Sequence, residues 1–186
     1  MTAIPNDTLI VASFRNCMDW ARSMHRKPWH ATAEVQARGF SEFIRHPWET
    51  RAEVKYFKGM VDAAAIDTPI QSDLHPITGK VFENLITLRN AKARAHLGFA
   101  SRACNFAAIR LEDLHADPKA MIAALASRFD LQVLVDRYDV RRALGSRFHP
   151  AVKDRPETPS ELSEEDRKFI LSQIDPELEA ELGYIY

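Results

Sequence analysis

The first strong pattern along the chain is a near-continuous apolar run over residues 8–14, which stops at Arg15. An unbroken run of this kind is typical of a β-strand covered on both faces, as in a parallel sheet. Asn16 follows, with Asp19 three residues on, the pattern of a helix N-cap with an acidic first turn. We predict a strand leading directly into a helix. The large apolar side chains of that helix are predicted to form its buried stripe: Met18, Trp20 and Met24.

The clearest helical periodicity covers residues 81–102. Its inward-facing apolar side chains recur at helical spacing: Leu85, Leu88, Ala95 and Phe99. Its basic side chains are interpreted as a solvated face: Arg89, Lys92, Arg94 and Arg102. A shorter helix is predicted before Pro47, with three side chains at helical spacing in the core: Phe40, Phe43 and Ile44.

A second apolar run, residues 105–111, predicts a second buried strand. Asp117 and Pro118 then have the residue types preferred at the N-cap and first position of a helix, which we expect to extend to Phe129. Two further helices are predicted near the end of the chain, one from Ser163 to Ile174 and one from Asp175 to Gly183. Residues 137–159 are charged and proline-containing, and are interpreted as a loop that passes over the site.

Composition narrows the class of protein. The 186 residues favour one domain, and 25 basic against 26 acidic side chains do not indicate a general nucleic-acid or membrane binder. Two cysteines are too few for a disulfide framework. No apolar run approaches the roughly 18 residues of a membrane-spanning helix, and no basic segment precedes an apolar one at the N-terminus. We expect a cytoplasmic protein with no membrane span.

The predicted position of Arg15 suggests binding chemistry. Ligands of open α/β sheets bind at the carboxyl ends of the strands, where Arg15 would lie. A guanidinium offers two parallel donors to a phosphate, and the start of the next helix adds backbone N–H groups and a favourable dipole.

The spacing Arg15-Asn16-x-x-Asp19-x-x-x-Ser23 resembles the 3′-phosphate-binding motif of the sulfotransferases that use 3′-phosphoadenosine 5′-phosphosulfate (PAPS). This resemblance implies that PAPS is the sulfuryl donor and that Arg15 and Ser23 bind its 3′-phosphate. It also implies an α/β fold of the P-loop type, with three layers, a small parallel sheet and many flanking helices. The motif departs from the family at Cys17, where proline is usual.

A second segment supports the same resemblance. Strand, Glu112-Asp113-Leu114, then Asp117-Pro118 and a helix is similar to the family's Tyr-Glu-Asp-Leu segment. The family's tyrosine, which contacts adenine, is Leu111 here. Glu112 and Asp113 are either catalytic carboxylates or acceptors for backbone donors and basic neighbours, and the second interpretation is favoured.

The family places a glycine-rich 5′-phosphosulfate loop with an essential lysine upstream of the arginine motif. Residues 1–14 contain no Gly, Lys, His or Glu, so we expect a sulfotransferase-like domain without its first strand and phosphate loop. Gly79-Lys80 does not replace that loop, because position 74 is Leu and position 81 is Val. Arg147, Lys153 and Arg155 lie where cytosolic members have an Arg-Lys-Gly triplet, but the triplet is absent and no role is assigned to them.

The catalytic base is not identified by the motifs. His25 and His30 are candidates, although cations near a helix C-terminus also serve to offset the helix dipole. The seven histidines are scattered, and no metal site is predicted.

The motifs and the resemblance lead to three hypotheses about function. The first is transfer of a sulfuryl group from PAPS to a hydroxyl or amine of a small molecule or glycan, with little activity expected from this chain alone. The second is a non-catalytic scaffold that binds partners or itself through an exposed apolar sheet edge. A kinase relative of the P-loop class is the third and weakest.

Overall fold

The computed structural model describes residues 4–57, 59, 62–133 and 148–186. The chain divides into two compact units. We call the first the sheet unit; its described residues are 4–16, 91–133 and 175–186. We call the second the helical unit; its described residues are 17–57, 59, 62–90 and 148–174.

Two strands occur in the described residues, β1 (Leu9–Phe14) and β2 (Asn105–Arg110). Nine α-helices occur there, in chain order: α1 (Cys17–Arg26), α2 (Ala33–Gln36), α3 (Phe40–Arg45), α4 (Val54–Phe57), α5 (Leu85–Leu97), α6 (Leu111–Ala116), α7 (Pro118–Arg128), α8 (Glu164–Gln173) and α9 (Pro176–Glu181). Short 3₁₀ segments cover Ala63–Ala65, Gln71–Asp73 and Gly98–Ser101. None of the helices in the described part of the chain has the length and apolarity needed to cross a bilayer.

The sheet unit is built on a parallel pair. β1 and β2 are in register from Leu9 opposite Asn105 to Phe14 opposite Arg110. The predicted α/β class with a small parallel sheet is therefore confirmed. The expectation that β1 is covered on both faces is wrong, because Val11 in the middle of the strand is 44% exposed.

The core of the sheet unit lies at the carboxyl end of β1. Phe14 is buried with side chains from α5 and from the C-terminal region of the chain. The cluster consists of Phe14, Ala93, Leu178 and Leu182, with Ala12, Leu97 and Tyr184 packed against it. This core holds the end of β1 in place, immediately before Arg15.

In the helical unit, the prediction for the buried face of α1 is wrong. Its buried residues are Cys17, Ala21 and His25, spaced four apart, whereas Met18, Trp20 and Met24 are only partly buried. The core prediction for α3 is confirmed, since Phe40, Phe43 and Ile44 are buried.

Helix α5 begins four residues later than predicted. The side chain of Asn84 accepts hydrogen bonds from the N–H groups of Ile86 and Thr87, at 2.9 and 3.0 Å, and so starts the helix. Leu85 and Leu88 are buried as predicted.

The predictions for Ala95 and Arg89 are wrong, and the prediction for Phe99 is wrong in part. Ala95 is exposed, and Phe99 lies in a 3₁₀ segment and is only half buried. Arg89 is buried rather than solvated. Residues 85–90 belong to the helical unit and residues 91–97 to the sheet unit.

Three helix starts agree with the sequence. The side chains of Asp117, Ser163 and Asp175 accept hydrogen bonds from the N–H groups of Ala120, Asp166 and Leu178. Pro118 and Pro176 follow two of these caps. Gly183 has a φ of 78°, the left-handed conformation that favours glycine after a helix.

Candidate functional site

The carboxyl edge of the sheet is the natural starting point, because parallel strands end at the same edge and ligands of α/β sheets bind there. β1 ends at Phe14 and continues into Arg15 and Asn16, and β2 ends at Arg110 and continues into α6. Arg15 is half buried at this edge. The sequence-based placement of Arg15 at a strand end is therefore confirmed.

The carboxylate of Glu112 joins the two strand ends. Its Oε1 accepts hydrogen bonds from the backbone N–H of Asn16 at 2.9 Å and from Asn16 Nδ2 at 2.8 Å. Its Oε2 accepts a hydrogen bond from Tyr184 Oη at 2.8 Å. Burial opposes ionisation of Glu112, but these donors outweigh it and hold the pKa of the carboxyl below its ordinary value.

Asp113 has a different partner. Arg110 Nε and Nη2 donate to its two oxygens at 2.7 and 2.9 Å, a bidentate pair. Arg110 Nη1 also donates to the carbonyl of Gly183 at 2.8 Å. A Cβ at Gly183 would lie 3.3 Å from that nitrogen, so glycine permits the close approach. Glu112 and Asp113 thus serve as hydrogen-bond and ion-pair partners, in agreement with the favoured interpretation.

Ser23 lies on α1 and is half buried. It is four residues from Asp19 and so shares a face of the helix with it, while Asp19 pairs with Arg22 of the same helix. Arg15 belongs to the sheet unit and Ser23 to the helical unit. A phosphate site shared by Arg15 and Ser23 stays a prediction.

His25 has the surroundings of a core histidine. Its exposure is 0%, and its ring meets the rings of Phe40 and Phe43 edge to face. Nε2 lies 3.1 Å from the carbonyl of Arg38, which can only accept, so Nε2 carries the proton. Nδ1 lies 2.7 Å from Thr158 Oγ1 and accepts from it. With both nitrogens engaged, the ring fits a structural role better than proton abstraction from a substrate.

His30 has a more open position. It has a φ of 63°, uncommon for a residue other than glycine, and its side chain is 24% exposed. Its Nδ1 lies 3.8 Å from Glu53 Oε2. The ring of Trp29 lies beside it, with centroids 6.2 Å apart. Of the two predicted bases, His30 is the more exposed, and its role as a proton acceptor stays a prediction.

The sequence analysis missed the role of Arg155. Its guanidinium donates to the carbonyls of His25, Arg26 and Gln36, and so satisfies the C-terminal end of α1. Burial lowers the pKa of Arg155. No local signal predicts this contact, because residues 25 and 155 are 130 positions apart. Positions 137–147 of the predicted loop lie outside the described residues.

The burial of His25 gives a testable pH dependence. Burial, the largest influence, lowers its pKa from 6.5, although the hydrogen bond to Arg38 opposes the shift. As the pH falls, the unfolded chain therefore takes up this proton first. We expect the contribution of neutral His25 to the free energy of unfolding to be fully present above about pH 6.5 and to be lost as the pH falls below that value.

Urea unfolding at about pH 7.5 and about pH 5.5 measures this loss. The substitution His25→Gln is expected to reduce the loss of unfolding free energy between the two pH values. The substitution of the exposed His115 by Gln should leave this loss unchanged. An equal loss of unfolding free energy in the wild type and in His25→Gln would show that His25 is not the group responsible.

No group of three or more His, Cys, Asp or Glu side chains suited to a metal ion occurs among the described residues. In the part of the chain that the structure describes, the fold is of the α/β class, with a two-stranded parallel sheet whose strand ends are joined by the Glu112 carboxylate. Comparisons with protein-family models, with curated proteins and with solved structures find no match for the chain.

Proposed function

We propose that the chain is a sulfotransferase-like protein of the P-loop structural type that binds PAPS, with Arg15 and Ser23 holding the 3′-phosphate of the nucleotide. The observation that supports this most directly is the position of Arg15, which follows β1 at the carboxyl edge of a parallel pair. The spacing from Arg15 to Ser23 and the Glu-Asp-Leu segment after β2 add to it.

The bound donor would supply the activated sulfuryl group: an acceptor hydroxyl or amine would attack the sulfur in line, the bond from sulfur to the 5′-phosphate oxygen would break, and adenosine 3′,5′-bisphosphate would leave. The residues assigned here bind and orient the nucleotide, and His30 is the candidate to accept the proton of the acceptor. Leu111, the first residue of α6, offers no aromatic ring for stacking on a base. Since such stacking is worth about 1–3 kcal/mol per base, we expect the phosphate contacts to provide most of the affinity.

The proposal is tested by calorimetry of the wild-type chain with two nucleotides that differ only in the 3′-phosphate. We expect adenosine 3′,5′-bisphosphate to bind about ten- to hundredfold more tightly than adenosine 5′-monophosphate, because charge-assisted hydrogen bonds contribute about 1.5–3 kcal/mol. Equal affinity for the two nucleotides, or binding of neither, would contradict the assignment of a 3′-phosphate site.

A second candidate function is a non-catalytic scaffold, favoured by two observations. In the described residues β1 pairs with β2 alone, and Val11 is 44% exposed. A strand edge of this kind can accept a further strand from a partner or a second copy. Absence of nucleotide binding, together with self-association in light scattering, would favour this function over the first.

A further inference from the structure

We propose that Glu112 is the positioning residue that sets the direction of Arg15, and that Tyr184 holds Glu112 in place. This inference rests on the proposed function, since it treats Arg15 as the phosphate ligand. Glu112 itself would not contact the nucleotide; it would act through the peptide that follows Arg15.

The hydrogen bond to Asn16 fixes a particular peptide plane. The N–H of Asn16 and the C=O of Arg15 belong to the same planar group, so holding the N–H also sets the backbone orientation at Arg15. Glu112 Oε1 holds that N–H at 2.9 Å and the Asn16 side chain at 2.8 Å. Two bonds from one residue to one oxygen restrict both the backbone and the side chain of Asn16.

The brace comes from a distant part of the chain. Glu112 is 96 positions from Asn16 and lies in the first turn of α6, directly after β2. It therefore ties the end of β1 to the end of β2 beyond the last register pair, Phe14 opposite Arg110. The Glu112 carboxylate thus adds a restraint on the peptide after Arg15, one position beyond the end of the strand ladder.

Tyr184 restrains the second oxygen of the carboxylate. Its hydroxyl donates to Oε2 at 2.8 Å, and its ring packs against the core cluster of the sheet unit. An ionised carboxylate has two oxygens and no proton, so it can accept from all three donors together. The two oxygens thus have separate tasks: Oε1 holds Asn16, and Oε2 holds the carboxylate against a fixed tyrosine.

The test uses the ratio of the dissociation constants of adenosine 5′-monophosphate and adenosine 3′,5′-bisphosphate, measured by calorimetry. Loss of folded protein lowers the number of binding sites but leaves this ratio unchanged, whereas misdirection of Arg15 lowers it. We expect Glu112→Ala to lower the ratio about tenfold, on the scale of one charge-assisted hydrogen bond. Glu112→Gln keeps an oxygen for both donors of Asn16 and is expected to retain most of the ratio.

A matched pair of tyrosine variants provides a test that does not depend on the stability of Glu112→Ala. Tyr184→Phe removes the donor to Glu112 and is expected to lower the ratio about two- to tenfold, no more than Glu112→Ala, because both hydrogen bonds from Asn16 to the carboxylate remain. Tyr186→Phe removes a hydroxyl bonded at the same 2.8 Å to Glu179 and should leave the ratio unchanged.

The possible failures can be told apart. A wild-type ratio near one would overturn the proposed function, and this inference with it. A clear wild-type preference that persists in Glu112→Ala, or in Tyr184→Phe where the alanine variant does not fold, would overturn the positioning role alone.

Discussion

Arg15→Ala is expected to weaken the binding of adenosine 3′,5′-bisphosphate about ten- to hundredfold, the largest effect on affinity that we expect from a single substitution. A guanidinium that donates to a phosphate forms charge-assisted hydrogen bonds worth about 1.5–3 kcal/mol, and each 1.4 kcal/mol is about tenfold in affinity. Binding of adenosine 5′-monophosphate should change much less, because it lacks the phosphate that Arg15 is proposed to bind. Calorimetry with both nucleotides measures the two effects.

Arg102→Ala is a suitable control for Arg15→Ala. Arg102 is an exposed arginine of the same unit, close before the amino end of β2, with its guanidinium 5.4 Å from the ring centroid of Phe99. The substitution Arg102→Ala therefore removes the same charge, but at the amino ends of the strands instead of the carboxyl ends. Tight binding that survives Arg15→Ala, or an equal loss in both variants, would remove Arg15 from the site.

Phe43→Ala is expected to lower the free energy of unfolding by about 3–5 kcal/mol, the usual range for deleting a buried phenyl ring. Phe43 is 0% exposed in the helical unit. Its ring meets His25 and Trp48 edge to face, with centroids 4.9 and 5.6 Å away. Removal of the Phe43 ring leaves a cavity that the large side chains of His25 and Trp48 cannot fill. Urea unfolding with an unchanged m-value measures the loss.

Leu171→Ala is the surface control for the Phe43 experiment. Leu171 lies on α8 and is 37% exposed, so the same truncation to alanine removes far less buried contact. We expect its cost to stay near the ~0.5 kcal/mol typical of surface substitutions. A cost below about 1 kcal/mol for Phe43→Ala would show that Phe43 is not part of a close-packed core, where such a change costs about 3 kcal/mol or more.

The helix starts were predictable because their chemistry is local. At Asp117, Ser163 and Asp175, the cap and the backbone N–H that it satisfies lie three residues apart. The same short range explains the correct core of α3. A hydrophobic pattern within one turn of a helix leaves few alternatives.

The buried face of α1 was not predictable in this way. His25 is buried because Thr158 and the carbonyl of Arg38 satisfy its two ring nitrogens, and Thr158 is 133 positions away. Sequence periodicity ranks histidine as polar and tryptophan as apolar, so it favoured Trp20 instead. For β1, an apolar composition shows that a strand tolerates burial on both faces, but it does not determine what covers Val11.

The candidate site likewise combines a local feature, which the sequence predicts, with long-range contacts, which it does not. The position of Arg15 follows from the end of an apolar run, which is visible within eight residues. The bracing of its neighbour Asn16 depends on Glu112, 96 positions on, and the placement of Glu112 depends on Tyr184, a further 72. Pairing of this kind is set by the tertiary fold and leaves no local pattern to recognise.

The contact between Arg155 and the end of α1 has a consequence for folding during synthesis on the ribosome. The carbonyls of His25 and Arg26 receive their donor from a side chain synthesised about 130 residues later. Until that arginine emerges, the nascent helix ends in solvent and its last turn can fray. The helical unit therefore completes its structure only after residue 155 has been translated, as expected where long loops must close before the native contacts form.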